Sequence, residues 1–131
     1  MSEETPTQSV GKAAYWGGWA KSVLPSLLLF FSAGMKISQA APVVEGFAKM
    51  GYPGNVALGI GLVELACTVL YLVPQTSVLG CILLTGYLGG ATATHLRIEE
   101  PYYAPVIIGV ILWGGLFLRD PNIRALIPIK R

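Results

Sequence analysis

Four stretches of this 131-residue chain, 22–38, 55–73, 76–94 and 103–118, are apolar almost from end to end. A bilayer core about 30 Å thick is crossed by roughly 20 such residues in a helix, with a working range of about 17 to 25. In hydrocarbon every backbone N–H and C=O must find a partner within the protein, and a helix is the only open-chain way to provide one. The pattern therefore predicts an all-α membrane protein of four transmembrane helices in an antiparallel bundle, one domain over residues 1–131. The fourth stretch is the shortest, about 24 Å at the helical rise, so Pro101, Tyr102 and Arg119 are expected close to the headgroups. Composition agrees: 12% of residues are charged, against about 25% in soluble domains. A net charge of +2 with 53% hydrophobic residues excludes a disordered chain. Nine scattered basic residues form no stripe able to track phosphates, so no nucleic-acid partner is expected.

The connectors support these boundaries. Pro74-Gln75-Thr76-Ser77 is so short that the second and third spans must be antiparallel neighbours. The third and fourth are separated by His95 to Pro101, where charge and proline end the apolar run. In the 39–54 connector, Val43, Val44, Phe47 and Met50 recur at helical spacing, Pro42 suits a first turn and Gly51 a stop. This reads as a short interfacial helix between the first and second spans, with a plain loop as the alternative. Residues 1–21 form a cytoplasmic or interfacial tail in which Tyr15, Trp16 and Trp19 beside Lys12 and Lys21 resemble an aromatic anchor. Lys12, Lys21, Arg119, Arg124, Lys130 and Arg131 lie on the side of both termini, against Lys36, Lys49 and Arg97 on the other, which places the termini in the cytoplasm. A basic region, an apolar run and Ser38-Gln39-Ala40 also resemble a cleaved leader. Glu3, Glu4 and Lys36, and a fourth helix that would lose its partner, argue against cleavage.

An ionisable side chain at the middle of a membrane helix costs about 2.5 to 3.5 kcal/mol on insertion scales, so each one needs a partner or a role. Glu64 is the clearest case, about 15 Å from its helix end. Ala57, Gly61, Glu64, Thr68 and Tyr71 share its face, which is small and polar and should point into the bundle. Counting outward from the tight turn puts Glu64 level with Gly86 and Tyr87, making Tyr87 a candidate hydrogen-bond donor. Gly86, Gly90 and Thr94 form a small-xxx-small stripe that Gly89 and Ala93 widen, and close helix packing is the expected role of Gly61, Gly86 and Gly90. Lys36 either snorkels outward or joins Glu64. His95, the one side chain that titrates near neutral pH unperturbed, completes a candidate catalytic set of Glu64, His95 and Lys36. Tyr87, Thr68, Arg97 and Glu100 are candidate ligand contacts in a cavity open to the outer face. Cys67 and Cys81 lie at similar depth on neighbouring helices, but form no Cys-x-x-Cys motif and read as small apolar residues. One histidine and two separated cysteines make no metal site.

Lys36, the connector from Val44 to Pro53, Gly61-Leu62-Val63-Glu64-Leu65, Gly86-Tyr87-Leu88-Gly89-Gly90-Ala91, Thr94-His95-Leu96-Arg97 and Leu118-Arg119-Asp120-Pro121, in this order, resemble the DoxX-like family of small four-helix membrane proteins. The likeness runs over about residues 20–128. It implies a fold more than a reaction. The family takes its name from a membrane subunit associated with thiosulfate oxidation coupled to quinone, and other members are linked to oxidative-stress complexes. The resemblance thus implies a redox-associated component of the bacterial inner membrane that binds a quinone or another lipophilic molecule through Lys36, Glu64 and His95. A partner protein would supply electrons, since the chain carries no flavin or iron-sulfur motif. Two other classes compete: a stand-alone acid/base isomerase or hydrolase using Glu64 and His95, and a non-catalytic transporter or assembly protein, for which the glycine stripe offers a face for homo-oligomers.

Overall fold

The computed structural model describes residues 11–53 and 55–130. The first ten residues of the expected tail, with Glu3 and Glu4, and also Gly54 and Arg131 lie outside the described residues. Among the described residues six α-helices follow one another: α1 (Lys12–Ile37), α2 (Ala41–Lys49), α3 (Val56–Leu72), α4 (Ser77–Arg97), α5 (Tyr103–Arg119) and α6 (Pro121–Leu126). No strand occurs among the described residues. Helices α1, α3, α4 and α5 pack in a closed ring, α1 touching α3 and α5, and α4 touching the same two from the opposite side.

Two helical segments, Lys12–Ile37 and Pro74–Arg97, are long and apolar enough to cross a membrane, whereas Val56–Leu72 and Tyr103–Arg119 are shorter apolar helices. Leu24, Leu28 and Phe31 of α1, Leu62 of α3, Ile82 of α4 and Val110 of α5 all point outward and are exposed. So broad an apolar exterior is foreign to a soluble monomer and matches a lipid-facing surface. The inner face of α3 consists of Ala57, Gly61, Glu64, Cys67, Thr68 and Tyr71, all buried, which contains the face read from the sequence.

Helix α1 begins at Lys12, so half of the segment read as a tail is helical. The apolar run misses this because Lys12 and Lys21 interrupt it, but Gly18 lets α5 approach so closely that a Cβ there would collide with Gly115 and Arg119. Pro25 lies inside α1, where its missing N–H leaves one carbonyl of the preceding turn without its helical donor. On either side of it Ser22 and Ser26 donate their hydroxyls to the Gly18 and Ser22 carbonyls one turn back in the same helix. Helix α4 runs on to Arg97, past the expected end at 94, and so carries His95 in its last turn. Helix α6 begins where Asp120 accepts from the N–H of Asn122 at 2.9 Å and Pro121 occupies the first turn, a pairing suited to a helix start.

The bundle is tight at the end holding the α3–α4 turn and splayed at the other. A Cβ on Gly80 would run into the backbone of Leu70 and Tyr71, and one on Gly115 into Gly18 and Ser22. At the same end Tyr71, fully buried, donates its phenol to the Leu112 carbonyl of α5 and lies 3.0 Å from the Ser22 hydroxyl of α1. At the far end, Gly86, Gly89 and Gly90 face open space. The two groups of glycines should therefore differ in thermal unfolding of the purified protein. Gly80→Ala is expected to cost about 2 kcal/mol as overpacking against backbone, while Gly86→Ala leaves the melting temperature unchanged or raises it, because alanine is the better helix former.

Candidate ligand-binding site

Glu64 is 1% exposed at the middle of α3. Its Oε1 accepts hydrogen bonds from Lys36 Nζ of α1 at 3.0 Å, from the Tyr87 hydroxyl of α4 at 3.0 Å and from the Ser32 hydroxyl at 3.4 Å. The lysine also donates to Ser32 Oγ. Its side chain is only 15% exposed, so it turns inward to the carboxylate instead of snorkelling. Three helices meet on a single oxygen. Ser32 was not singled out from the sequence, although it lies one turn before Lys36 and therefore on the same face of α1.

Beside this cluster lies a cavity of about 600 Å³. Ser32 and Lys36 of α1, Tyr87 and His95 of α4, and Phe47 and Met50 from the α2 segment contribute to its wall. Glu64 is absent from the wall and sits behind Lys36 and Tyr87, which present the polar surface. Tyr87 and His95 are eight residues apart on α4, about 12 Å along the axis. The polar groups thus form two separate stations: the lysine and phenol deep in the cavity, and the imidazole nearer the end of the bundle. His95 Nδ1 lies 2.7 Å from the Ala91 carbonyl. A carbonyl only accepts, so Nδ1 carries a hydrogen and Nε2 is free of this contact.

The other candidate residues have differing surroundings. Gly86 and Gly90 do not pack against a neighbouring helix: each lines the cavity, and a Cβ on either would meet nothing within 4 Å. Gly61 has the opposite surroundings, since a Cβ there would come within 2.8 Å of Lys36 Cβ and 3.0 Å of the Ala33 carbonyl. Thr68 is fully buried, its hydroxyl donates to the Glu64 carbonyl one turn back in α3, and it is not part of the cavity wall. Arg97 and Glu100 also lie outside the cavity wall. Arg97 Nη2 donates to the Met50 carbonyl at the end of α2, and Glu100 pairs with Lys49 at 3.0 Å. Both are occupied in tying α2 across the bundle. Cys67 and Cys81 are buried free thiols in the apolar core, and no metal-binding group of His, Cys, Asp or Glu occurs among the described residues.

The ion pair is testable by stability. Removing one member of a buried pair strands the other charge, at a typical cost of about 3 kcal/mol or more. Lys36→Met is therefore expected to lower the unfolding free energy by about that amount, and Lys36→Met/Glu64→Gln by clearly less than Lys36→Met alone, in denaturation of the protein in micelles. A loss in the double variant equal to the sum of the losses in Lys36→Met and Glu64→Gln would show that the two side chains are not coupled.

A family model described as the DoxX-like family matches residues 20–115. The matched segment includes Ser32, Lys36, Glu64, Tyr87 and His95, together with α2, and stops before Leu118-Arg119-Asp120-Pro121. No curated protein matches significantly, and no solved structure does. With nearly three quarters of its residues matched, and with an apolar exterior around a helical bundle, the chain belongs to the DoxX-like family of membrane proteins.

Proposed function

We propose that the chain is the ligand-binding component of a redox assembly in the bacterial inner membrane, and that its cavity takes a planar lipophilic molecule bearing a carbonyl oxygen, a quinone being the type. The observation that carries this reading is the pairing of predominantly apolar walls with one inward-turned ammonium. Lys36, held by Glu64 and Ser32, offers a fixed positive donor to a carbonyl oxygen. The Cβ-less steps at Gly86 and Gly90 leave a strip of α4 against which a ring can lie, in a cavity that Phe47 and Tyr52 also line. The residues present fit such a group. When bound, a quinone supplies reversible two-electron, two-proton chemistry, with a partner protein as the source of electrons. The chain's own contributions are to bind the ring, to exclude water, to hold a hydrogen bond at Lys36 Nζ, and at His95 Nε2 to accept a proton at the outer part of the cavity.

In this reading α1, α3, α4 and α5 all cross the bilayer, the two 17-residue helices reaching the interfaces by local thinning and by their flanking residues. The termini lie in the cytoplasm by the excess of Lys and Arg at that end. Stand-alone acid/base catalysis by Glu64 with His95 gains no support, because the carboxylate is screened from the cavity by its own three donors.

Native mass spectrometry of the gently solubilised protein, followed by lipid extraction, tests the proposal. The wild type should retain a lipophilic, carbonyl-bearing molecule. Gly90→Leu, which fills the cavity from a position with free space around it, should lose it while the melting temperature holds. Glu64→Gln should weaken retention at least tenfold if it folds, since Lys36 then loses its counter-charge. Equal retention by wild type and Gly90→Leu would remove the cavity from consideration.

A further inference from the structure

The Leu118-Arg119-Asp120-Pro121 turn takes no part in the cavity, yet it carries the most deeply buried cation among the described residues. Arg119 ends α5 at the tight end of the bundle and is 7% exposed. Its Cζ lies 4.1 Å from the ring centre of Trp19 and 5.0 Å from that of Tyr71. Nη2 donates to the Tyr71 carbonyl at 2.9 Å. Nε has no partner, and it is the one buried side-chain polar atom in that condition among the described residues. The ion pairs among the described residues are Lys36 with Glu64 and Lys49 with Glu100, so no carboxylate among the described residues neutralises this guanidinium. The adjacent Asp120 is spent on the α6 start, accepting from Asn122 N–H. Buried charges are ordinarily paired, and two aromatic faces with one carbonyl supply only part of what a counter-ion would.

The same arginine borders a hollow of about 150 Å³, walled also by Tyr15, Trp19, Pro74, Ser77 and Asp120. We propose that this hollow is an oxyanion site for phosphate, held by the Arg119 guanidinium. The planar fork of arginine matches phosphate oxygens in pairs, and stacking against Trp19 fixes its plane before any anion arrives. The hollow has room for one tetrahedral oxyanion. Tyr15 and Trp19 place it at the depth of an aromatic belt, where lipid phosphates lie, and Lys12 and Lys21 add positive charge on the same end of α1. The phosphate comes either from a lipid headgroup or from solution.

Native mass spectrometry of the full chain in detergent micelles, titrated with phosphatidylglycerol and separately with inorganic phosphate, decides the matter. One phosphatidylglycerol should bind the wild type at least tenfold more tightly than Arg119→Gln. Inorganic phosphate that displaces the lipid assigns the site to free phosphate; lipid binding that resists it assigns the site to headgroups. Asp120→Asn keeps a helix-capping side chain, since asparagine caps as well as aspartate, but removes the negative charge from the rim. It should therefore tighten binding several-fold, an effect that a purely structural Arg119 would not produce. Should Arg119→Gln fail to fold, Asp120→Asn carries the test alone. Unchanged affinity in Asp120→Asn together with equal affinity in every folded Arg119 variant overturns the site.

Discussion

A carboxylate in the middle of an apolar bundle must be surrounded by donors, and in this protein the donors come from two other helices. Glu64 receives the Lys36 ammonium and Ser32 hydroxyl from α1 and the Tyr87 phenol from α4. The insertion cost of a lone charge at such depth is about 2.5 to 3.5 kcal/mol, and it is offset only if all three helices stand at the right height. Gly61 makes that geometry attainable, since any side chain there would push Lys36 away from the carboxylate. The ion pair thus sets the relative height of α1 and α3, and the phenol does the same for α4. The cavity lies beside this fixed point, where α4 carries glycine at 86 and 90 and so leaves unfilled the space that a larger side chain would occupy.

The splay of the bundle follows from where close contact is permitted. At the α3–α4 turn, Gly80 allows two helices to touch backbone to backbone, and Gly18 with Gly115 does the same for α1 and α5. Tyr71 then ties three helices together at that end through one hydroxyl. The four helices diverge from this knot, and the space between them is closed at the other end by α2 rather than by side chains of the bundle.

Much of this was legible in the sequence because it depends on local periodicity. The inward face of α3, the level of Tyr87 with Glu64, and the nine-residue α2 all follow from counting along a helix. The functions of Gly86, Arg97 and Glu100 were not legible for a related reason. Spacing shows that a glycine stripe permits close approach, not that a partner approaches; the partner meets α4 at Gly80, where the short turn forces it. Likewise, charges at a helix end are equally consistent with a cavity rim and with a tether, and only the folded position of α2 decides between the Met50 carbonyl and a ligand as the group Arg97 meets. The α1 start escaped because lysines at an interface interrupt hydropathy without interrupting a helix.

Helix α2 buries none of its residues. It is held across the bundle chiefly by an exposed Lys49–Glu100 pair and the Arg97 bond to Met50, and an exposed ion pair contributes at most about 1 kcal/mol. Its flanks, Gln39 at φ 53° and Gly51 at φ 90°, are already turned out of the right-handed region. Raising α2 leaves the Tyr71 knot untouched, so its opening free energy lies below that of global unfolding. The close backbone contacts and the cavity thus lie toward opposite ends of the bundle, so the protein keeps its permanence and its accessibility apart.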